Sequence, residues 1–310
     1  MKPNNFWKLT RFDKKNINFI KELYLEEKYP IFEHNFYHIF GYLGFKKELY
    51  AINKKNWSSI IFYDKKEVYL FTPVIRNLKF FISDIKKEFK YINIINVSKD
   101  WLNKNHIKLE SLVRRIDIQT RSKEEAIYDL NLLNDLPGSH FAKLRNINKK
   151  LLLNEELVFK KIKSEKDLKK AKRLISKWNK VQGFKYIKNK ESKEKFLLEK
   201  VNHYCKNDKN LRVEMGVVKN KVLSLVIYFI SPTHSQWSEI YMIKGINRSE
   251  DQGVHGVSDA SYLHVFKQLK LMGANYVNDG ELGYEEGTRL HKLRFKPIKF
   301  LQSFDLKIEL

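Results

Sequence analysis

Cysteine and proline are both scarce in this chain of 310 residues. The single cysteine, Cys205, rules out an intrachain disulfide and a cysteine-based metal cluster, and it fits a reducing compartment. The six prolines are scattered and mark no linker between domains. The longest apolar run, residues 222–230, has about half the length of a membrane-spanning helix. Because the N-terminus also lacks the apolar core of a signal peptide, we expect a cytoplasmic protein, soluble or peripheral to a membrane.

Basic residues, by contrast, are in large excess. Lysine and arginine number 60 against 36 aspartates and glutamates, which gives a net charge of +24. Such a surplus attracts polyanions, among them tRNA, other nucleic acids and anionic membrane surfaces. A composition rich in Lys, Asn, Ile, Phe and Tyr is also expected of an AT-rich genome, so both origins of the charge stay open. A hydrophobic content of 43% excludes a disordered chain.

The order of predicted elements repeats along the chain. The second half reads, in order, as a strand at 157–162, helices at 164–180 and 191–204, strands at 211–218, 222–230 and 236–244, a helix at 258–272, a strand at 275–278, a short helix at 285–294 and a strand at 299–308. The first half is a fainter copy with the same order. This order resembles that of a GCN5-related N-acyltransferase (GNAT) unit.

We therefore predict an α/β (α+β) protein of two tandem GNAT-like units, each a mixed sheet flanked by helices. The units are residues 1–127 and residues 155–310, with a bridging strand and helix at 128–154. We expect the active site in the C-terminal unit.

The loop that would bind coenzyme A departs from the usual pattern. In a GNAT unit two central strands splay apart, and a helix N-terminus binds the pyrophosphate of the acyl donor through backbone N–H groups. The usual mark is Arg/Gln-x-x-Gly-x-Gly/Ala. Counted from Arg248, the first glycine position holds Asp251, and counted from Gln252 it holds His255. Asp259 adds negative charge where a pyrophosphate would lie, so the sequence disfavours acetyl-CoA as the donor.

Three stretches are similar to one family. They are residues 29–40 (YPIFEHNFYHIF), residues 128–148, which end in Arg-Asn-Ile-Asn, and residues 278–297, which contain Asn-Asp-Gly-Glu-Leu-Gly and then Gly-Thr-Arg-Leu-His-Lys. With these motifs the chain resembles the phosphatidylglycerol lysyltransferase C-terminal domain family, a tandem-GNAT group related to Fem-type aminoacyltransferases. Leu282 and Thr288 stand where that family commonly has Asp and Leu.

The resemblance implies an aminoacyl-tRNA-dependent transferase, with the aminoacyl ester as donor and an amine or hydroxyl as acceptor. It implies tRNA as a partner and neither a metal nor a redox cofactor. Two alternatives remain at the level of the sequence. One is an N-acyltransferase that uses acyl-CoA through an atypical loop, and the other is a basic module that binds tRNA or a membrane surface without turnover.

Ester aminolysis requires two positioned substrates, removal of a proton and stabilisation of an oxyanion. Glu281 and Asp259 are predicted at a strand end and a helix start that face the splay, so we expect them to be the catalytic carboxylates. Arg289 and Lys292, three residues apart, share a helix face and are predicted to hold a phosphate or the terminal adenosine of tRNA. Asn278, in the turn before Glu281, is predicted to contact substrate. The alternative is an acidic turn followed by a solvated basic helix.

Two further groups are candidates. Trp237, Glu239 and Tyr241 alternate along a predicted strand, as a substrate pocket wall would, although core packing gives the same pattern. The bridge supplies candidate contacts to tRNA phosphate and sugar, which could equally fix the interface between the units: Lys143, Arg145, Asn148 and Lys149. The nine histidines show no convincing metal-ligand spacing, so no metal site is predicted.

Overall fold

The computed structural model describes residues 10–12, 17–25, 31–32, 34–39, 48–64, 67–120, 124–154, 156–181, 188–204, 208–231, 234–246, 254–283 and 286–310. The chain forms two compact units. The first consists of Met1–Glu125, Glu281–Arg289 and Phe300–Leu310, and the second of Ala126–Gly280 and Leu290–Lys299. Cys205 and residues 247–253, which include most of the predicted cofactor loop, lie outside the described residues.

The elements follow the predicted order. The first part of the chain contains β1 (Thr10–Arg11), α1 (Ile17–Tyr24), α2 (Phe36–His38), β2 (Leu49–Asn53), β3 (Trp57–Asp64), β4 (Glu67–Phe71), β5 (Val74–Ile75), α3 (Leu78–Lys86), β6 (Tyr91–Ser98), α4 (Lys99–Glu110) and β7 (Arg115–Thr120). The second part contains β8 (Glu125–Asp129), α5 (Leu130–Asp135), α6 (Ala142–Ile147), β9 (Val158–Lys161), α7 (Glu165–Val181), α8 (Lys188–Tyr204), β10 (Leu211–Val218), β11 (Lys221–Ile230), β12 (Trp237–Gly245), α9 (Val257–Leu271), β13 (Tyr276–Glu281), α10 (Glu286–Leu293), β14 (Lys299–Leu301) and β15 (Ser303–Glu309). Among the described helices, none is both long and apolar enough to span a membrane.

The first sheet has the order β1-β2-β3-β4-β6-β15-β7, with β5 paired to β3. Its helices begin at side-chain caps: Asn77 accepts a hydrogen bond from the N–H of Phe80 at the start of α3, and Ser98 accepts one from Trp101 at the start of α4. Apolar residues that alternate along the strands form the core of the unit.

The last strand corrects the predicted division of the chain. The sequence assigned residues 155–310 to one C-terminal unit, but β15 pairs antiparallel with both β6 and β7 of the first sheet. Leu306 and Ile308 are buried in the core of the first unit, opposite Ile94 and Ile92. The alternation of apolar residues identifies the strand but does not reveal its partner, because any half-buried sheet position gives the same pattern.

The second sheet has the order β14-β8-β13-β12-β11-β10-β9. The predicted bridge, residues 128–154, belongs to the second unit: its start lies in β8, and the rest forms helical turns that end in a π-helical segment, Asn148–Leu153. Helix α9 lies on one face of the sheet, where the Ser261 and Ser224 hydroxyls are 2.6 Å apart. Helices α7 and α8 lie on the other face, where Lys244 of β12 contacts Glu194.

The predicted splay lies between β12 and β13. These parallel strands pair only over three residues, Trp237–Glu239 against Tyr276–Asn278, although β12 continues to Gly245. At the far end of β12, Gly245 lies against the first turn of α9, and a Cβ there would be 2.7 Å from the Cα of Ser258. The glycine therefore allows the start of α9 to lie directly on the strand that borders the gap.

Gly245→Ala is expected to destabilise the second unit by about 1–3 kcal/mol, because the new methyl group meets backbone that must move. Gly287→Ala is the matched control: it lies in α10 and its added Cβ has nothing within 4 Å. In the control, alanine should be neutral or gain up to about 1 kcal/mol from helix propensity. Urea unfolding midpoints measure both changes. A midpoint for Gly245→Ala at or above that of the parent chain would contradict the close approach.

Candidate active site

The start of α9 carries a buried carboxylate. Gly256 is the N-cap residue with φ 85°, a left-handed conformation that favours glycine, and no side chain caps the helix. Asp259, the third residue of the helix, is only 6% exposed. The helix dipole favours an anion at this position. The chain itself therefore supplies negative charge at the end of the helix where GNAT units bind a pyrophosphate.

Two basic side chains from the C-terminal part of α10 and the residues after it contact Asp259. Arg294 places Nη1 3.2 Å from each carboxylate oxygen. His291 places Nε2 2.9 Å from Oδ1, an ion-pair contact whose angle falls short of a hydrogen bond. Burial alone would raise the pKa of Asp259, but His291, Arg294 and Lys143 outweigh it and hold that pKa below its usual value. Asp259 is therefore ionised at neutral pH.

The Asp259 group, meaning Asp259, His291 and Arg294, has the parts of an acid–base site. Imidazole is the side chain best suited to take up and return a proton near neutral pH. A neighbouring carboxylate orients the ring and stabilises its protonated form. The Arg294 side chain is 42% exposed, so part of its guanidinium can also reach a ligand. Such a group can deprotonate a nucleophile and stabilise an oxyanion.

A second, fully buried ion pair lies beside the Asp259 group. Lys292 Nζ is 3.1 Å from Oδ2 of Asp279 and donates a hydrogen bond to its carbonyl oxygen at 2.6 Å. The Tyr262 hydroxyl donates to the same carboxylate at 3.1 Å, and the Tyr128 hydroxyl donates to the carbonyl oxygen of Lys292 at 3.1 Å. Burial raises the pKa of Asp279 and raises that of Tyr262 well above its usual value.

This pair revises the predicted role of Lys292. The sequence placed Lys292 and Arg289 together on one face of a helix as contacts for a phosphate. Arg289 is exposed, whereas Lys292 is 8% exposed and directs its ammonium group to Asp279. Lys292 therefore has a structural role, and the predicted phosphate contact remains a prediction for Arg289 alone.

Asn278 and Glu281 occupy opposite ends of the turn in β13. Asn278 is 1% exposed, and its Oδ1 accepts a hydrogen bond from the N–H of Gly280 at 2.7 Å. This bond shapes a turn in which Gly280 has φ 65°. Asn278 thus shapes the turn, and its predicted contact with substrate stays a prediction. Glu281 ends β13 and is half-buried, and its catalytic role stays a prediction.

The predicted pocket wall on β12 is interrupted. Ile227 pairs with Met242, but the next residue of β11 pairs with Ile240, so Tyr241 lies in a β-bulge. The predicted alternation is therefore interrupted between Glu239 and Tyr241, and the role of the three residues in a pocket stays a prediction. Trp237 stacks on a neighbouring tyrosine of β13 at 5.1 Å, and Glu239 is 1% exposed, so both belong to the interior of the unit.

The candidate tRNA contacts in residues 128–154 differ in their exposure and in their hydrogen bonds. Arg145 donates from Nη1 to the carbonyl oxygens of Leu136 and Gly138, at 2.6 and 2.7 Å. Arg145 therefore holds a turn of its own unit, and its predicted contact with tRNA stays a prediction. Lys143 and Lys149 are exposed and Asn148 is half-buried, so their predicted contacts with tRNA remain predictions.

Sequence reasoning missed four residues of this region, namely His291, Arg294, Asp279 and Tyr262. The signal that could have found them is the spacing of polar residues. Asp259 and Tyr262 are three residues apart, as are His291 and Arg294, so each pair lies on one side of its helix. Two such polar faces on consecutive helices can contact each other. Within the described residues no three His, Cys, Asp or Glu side chains lie close enough to hold a metal ion.

Comparison with known proteins identifies the fold. No family profile matches the chain, and no curated protein matches its sequence. Solved structures do match. A structure of FemX superposes with a TM-score of 0.67 at 10% identity and covers 98% of this chain and 97% of its own. Lysylphosphatidylglycerol synthetase (L-PGS) from Bacillus licheniformis gives 0.62 at 14%, covering 96% and 92%.

A tandem GNAT protein from the clavulanic acid biosynthesis pathway is also similar, with a TM-score of 0.55 at 7% identity over 97% of this chain and 98% of its own. At these identities the comparisons show the fold alone. The chain is a tandem GNAT-like α/β protein, and its predicted structural resemblance to the lysyltransferase domain and to Fem-type proteins is confirmed.

Substitutions can test the structural role of the buried ion pair between Lys292 and Asp279. Lys292→Met should destabilise the chain by about 3–5 kcal/mol, because it leaves the Asp279 carboxylate buried without its partner. Adding Asp279→Asn should recover part of that loss, since the uncompensated charge is then gone. Arg289→Met, on the exposed part of the same helix, is the control and should stay within about 0.5 kcal/mol. Chemical denaturation measures all three. Equal stability of Lys292→Met and Arg289→Met would argue against a structural role.

The pKa of Asp259 predicts a pH dependence of stability. A carboxyl group whose pKa is lower in the folded chain contributes stability above its unfolded pKa, and this is lost as the pH falls through the folded value. The stability difference between the parent chain and Asp259→Asn should therefore be largest near neutral pH and shrink below about pH 4. Thermal unfolding between pH 3 and 7 measures it. A difference that is constant over this range would contradict the ion contacts of Asp259.

Proposed function

We propose that the protein transfers an aminoacyl group from aminoacyl-tRNA to an amine or hydroxyl acceptor on a lipid, a peptide or a small molecule. The observation that carries the proposal is the ionised Asp259 at the anion-binding end of α9, in a fold shared with L-PGS and FemX. These two proteins are aminoacyl-tRNA-dependent transferases. A carboxylate in this position repels the pyrophosphate of coenzyme A, but an aminoacyl ester carries no pyrophosphate.

The Asp259 group supplies a route for the proton. The acceptor amine or hydroxyl attacks the carbonyl carbon of the ester, and His291 takes the proton that the nucleophile releases. Asp259 holds the imidazole and stabilises the imidazolium, while Arg294 is placed to stabilise the oxyanion. When the C–O bond to the terminal ribose breaks, the proton returns from His291 to the departing ribose oxygen. The new amide or ester then leaves with the acceptor.

The alternative is an acyl-CoA-dependent N-acyltransferase. It is favoured by the start of α9, where the N-cap residue Gly256 offers no capping side chain and the helix dipole attracts an anion, and by the similar tandem GNAT protein, whose structure was solved without AcCoA. Asp259 opposes it. A third proposal, a module that binds tRNA or a membrane surface without catalysis, predicts binding and no turnover.

A donor assay separates the three proposals. Purified protein is incubated with a charged tRNA pool and, separately, with acyl-CoAs, and loss of each donor is followed over time against a heat-inactivated sample. The first proposal predicts consumption of aminoacyl-tRNA above the rate of spontaneous hydrolysis when amine or lipid acceptors are added. Tight CoA binding with acyl-CoA turnover and no loss of aminoacyl-tRNA would refute it.

Variants test the roles within the site. His291→Gln and Asp259→Asn should each lower kcat by about 10²–10⁴, the usual contribution of general acid–base catalysis, with little change in donor KM. His203→Gln, an exposed histidine of α8, is the matched control and should keep full activity. Full activity of His291→Gln would remove it from the mechanism. Glu281→Gln in the same assay tests the predicted catalytic role of Glu281: loss of transfer without unfolding would support that role, and full activity would remove it.

A further inference from the structure

Helix α7 carries a stripe of cations that the candidate active site does not use. We call it the α7 stripe and define it as Lys166, Lys170, Arg173, Lys177 and Lys180. The spacing of four, three, four and three residues keeps all five on one face of a helix. Every one of them is exposed. At 1.5 Å per residue the stripe extends over about 21 Å.

Acidic side chains on the described part of α7 lie near only the start of the stripe, where the charges of Asp167 and Lys170 attract each other. The acidic residues of α7 are Glu165 and Asp167, both in its first turn, where Asp167 exchanges hydrogen bonds with Ser164 as a helix cap. Among the described residues, no carboxylate lies within salt-bridge distance of a stripe cation. Lys172, on the flank of the same helix, does pair with Glu199 of α8. The charge of the stripe is therefore turned to solvent, where it can attract a polyanion.

The opposite face of α7 decides which polyanion fits. Leu168, Ala171, Leu174 and Ile175 are buried, and the helix packs on β11 and β12. A helix that binds in a membrane interface inserts an apolar face between the lipids, but the apolar face of α7 is already covered by its own sheet. The exposed face offers cations that can bind phosphates, and few apolar side chains that could insert between lipids. A nucleic acid backbone needs only such a row of cations.

We propose that the α7 stripe binds the phosphate backbone of RNA. In the proposed reaction that RNA is the tRNA of the donor, so the identity of the RNA rests on the proposed function, while the binding surface does not. Successive phosphates of a nucleic acid strand are only a few ångströms apart along the axis, so a track of this length passes several phosphates. Binding is expected to be independent of base sequence, because the stripe contacts phosphates alone.

The test compares two triple variants with the same change in net charge. The stripe variant is Lys170→Gln/Arg173→Gln/Lys177→Gln. The control removes three exposed lysines elsewhere on the second unit, Lys219→Gln/Lys221→Gln/Lys267→Gln. Both are checked for folding by circular dichroism and thermal unfolding. Binding of uncharged tRNA is then measured by fluorescence anisotropy at several salt concentrations, with anionic phosphatidylglycerol vesicles as a second arm.

The stripe variant should bind tRNA at least about tenfold more weakly than the parent at 0.1 M salt. Its plot of log affinity against log salt should lose about 2–3 units of slope, near 0.7–0.9 for each phosphate contact removed. The control should lose much less. Equal losses in both variants, or an unchanged stripe variant, would overturn the proposal. Binding of vesicles but not of tRNA would overturn it in favour of a membrane surface.

The experiments distinguish failure of the RNA-binding surface from failure of the proposed reaction. Stripe-dependent binding of tRNA without consumption of charged tRNA would leave the surface standing and remove the reaction. Consumption of charged tRNA with a KM that is unaffected in the stripe variant would leave the reaction standing and remove the surface. The expected outcome is a raised KM for aminoacyl-tRNA in the stripe variant and an unchanged KM in the control.

Discussion

The buried pair between Lys292 and Asp279 is the interaction on which the rest of the candidate site depends. Desolvating two charges costs several kcal/mol, so such a pair persists only where further hydrogen bonds complete it. Here the hydroxyl of Tyr262 and the carbonyl oxygen of Asp279 complete it, and Tyr128 holds the backbone of Lys292 in turn. The pair thereby ties α10 to β13 and α9.

The ion pair determines where the neighbouring basic side chains, His291 and Arg294, lie. His291 precedes Lys292 directly, and Arg294 follows it by two positions. Once the ammonium of Lys292 is fixed on Asp279, both flanking residues are placed against the first turn of α9, where they meet Asp259. A buried ion pair contributes little net stability compared with an apolar replacement. Its value here is geometric, because the pair fixes one arrangement of the strand and the two helices.

The two units differ at the point where their two parallel central strands stop pairing. In the first unit β4 and β6 run parallel over three residue pairs, and beyond them Asn96 has φ 60°. His34 fills the space beside this point: it is fully buried, stacks on Tyr24 at 4.2 Å and places Nε2 3.1 Å from the hydroxyl of Thr72. In the second unit the corresponding strands end beside the charged Asp259 group. This difference is one reason for our proposal that the active site lies in the second unit.

The sequence sufficed for the elements but not for their partners. The hydrophobic period predicted α7 to within a residue, because this signal is local. The partners of β15, the bulge at Tyr241 and the contact of Lys292 with Asp279 depend on residues distant in the chain or on register. A lysine in a helix that follows an acidic turn is read first as solvated, and only the fold shows that it is buried.

The distribution of the positive charge also depends on the fold. A compositional surplus alone would place lysines wherever the surface allows, with no relation between burial and pairing. In the second unit the buried lysines are paired, Lys292 with Asp279 and Lys244 with Glu194, and Lys244 also lies 3.6 Å from the ring centroid of Trp178. The exposed cations of α7 instead repeat at helical spacing along one face. A regular row of like charges raises the electrostatic free energy of the folded chain, and a bound polyanion relieves that cost. The arrangement of the cations, more than their number, is the argument for a nucleic acid partner.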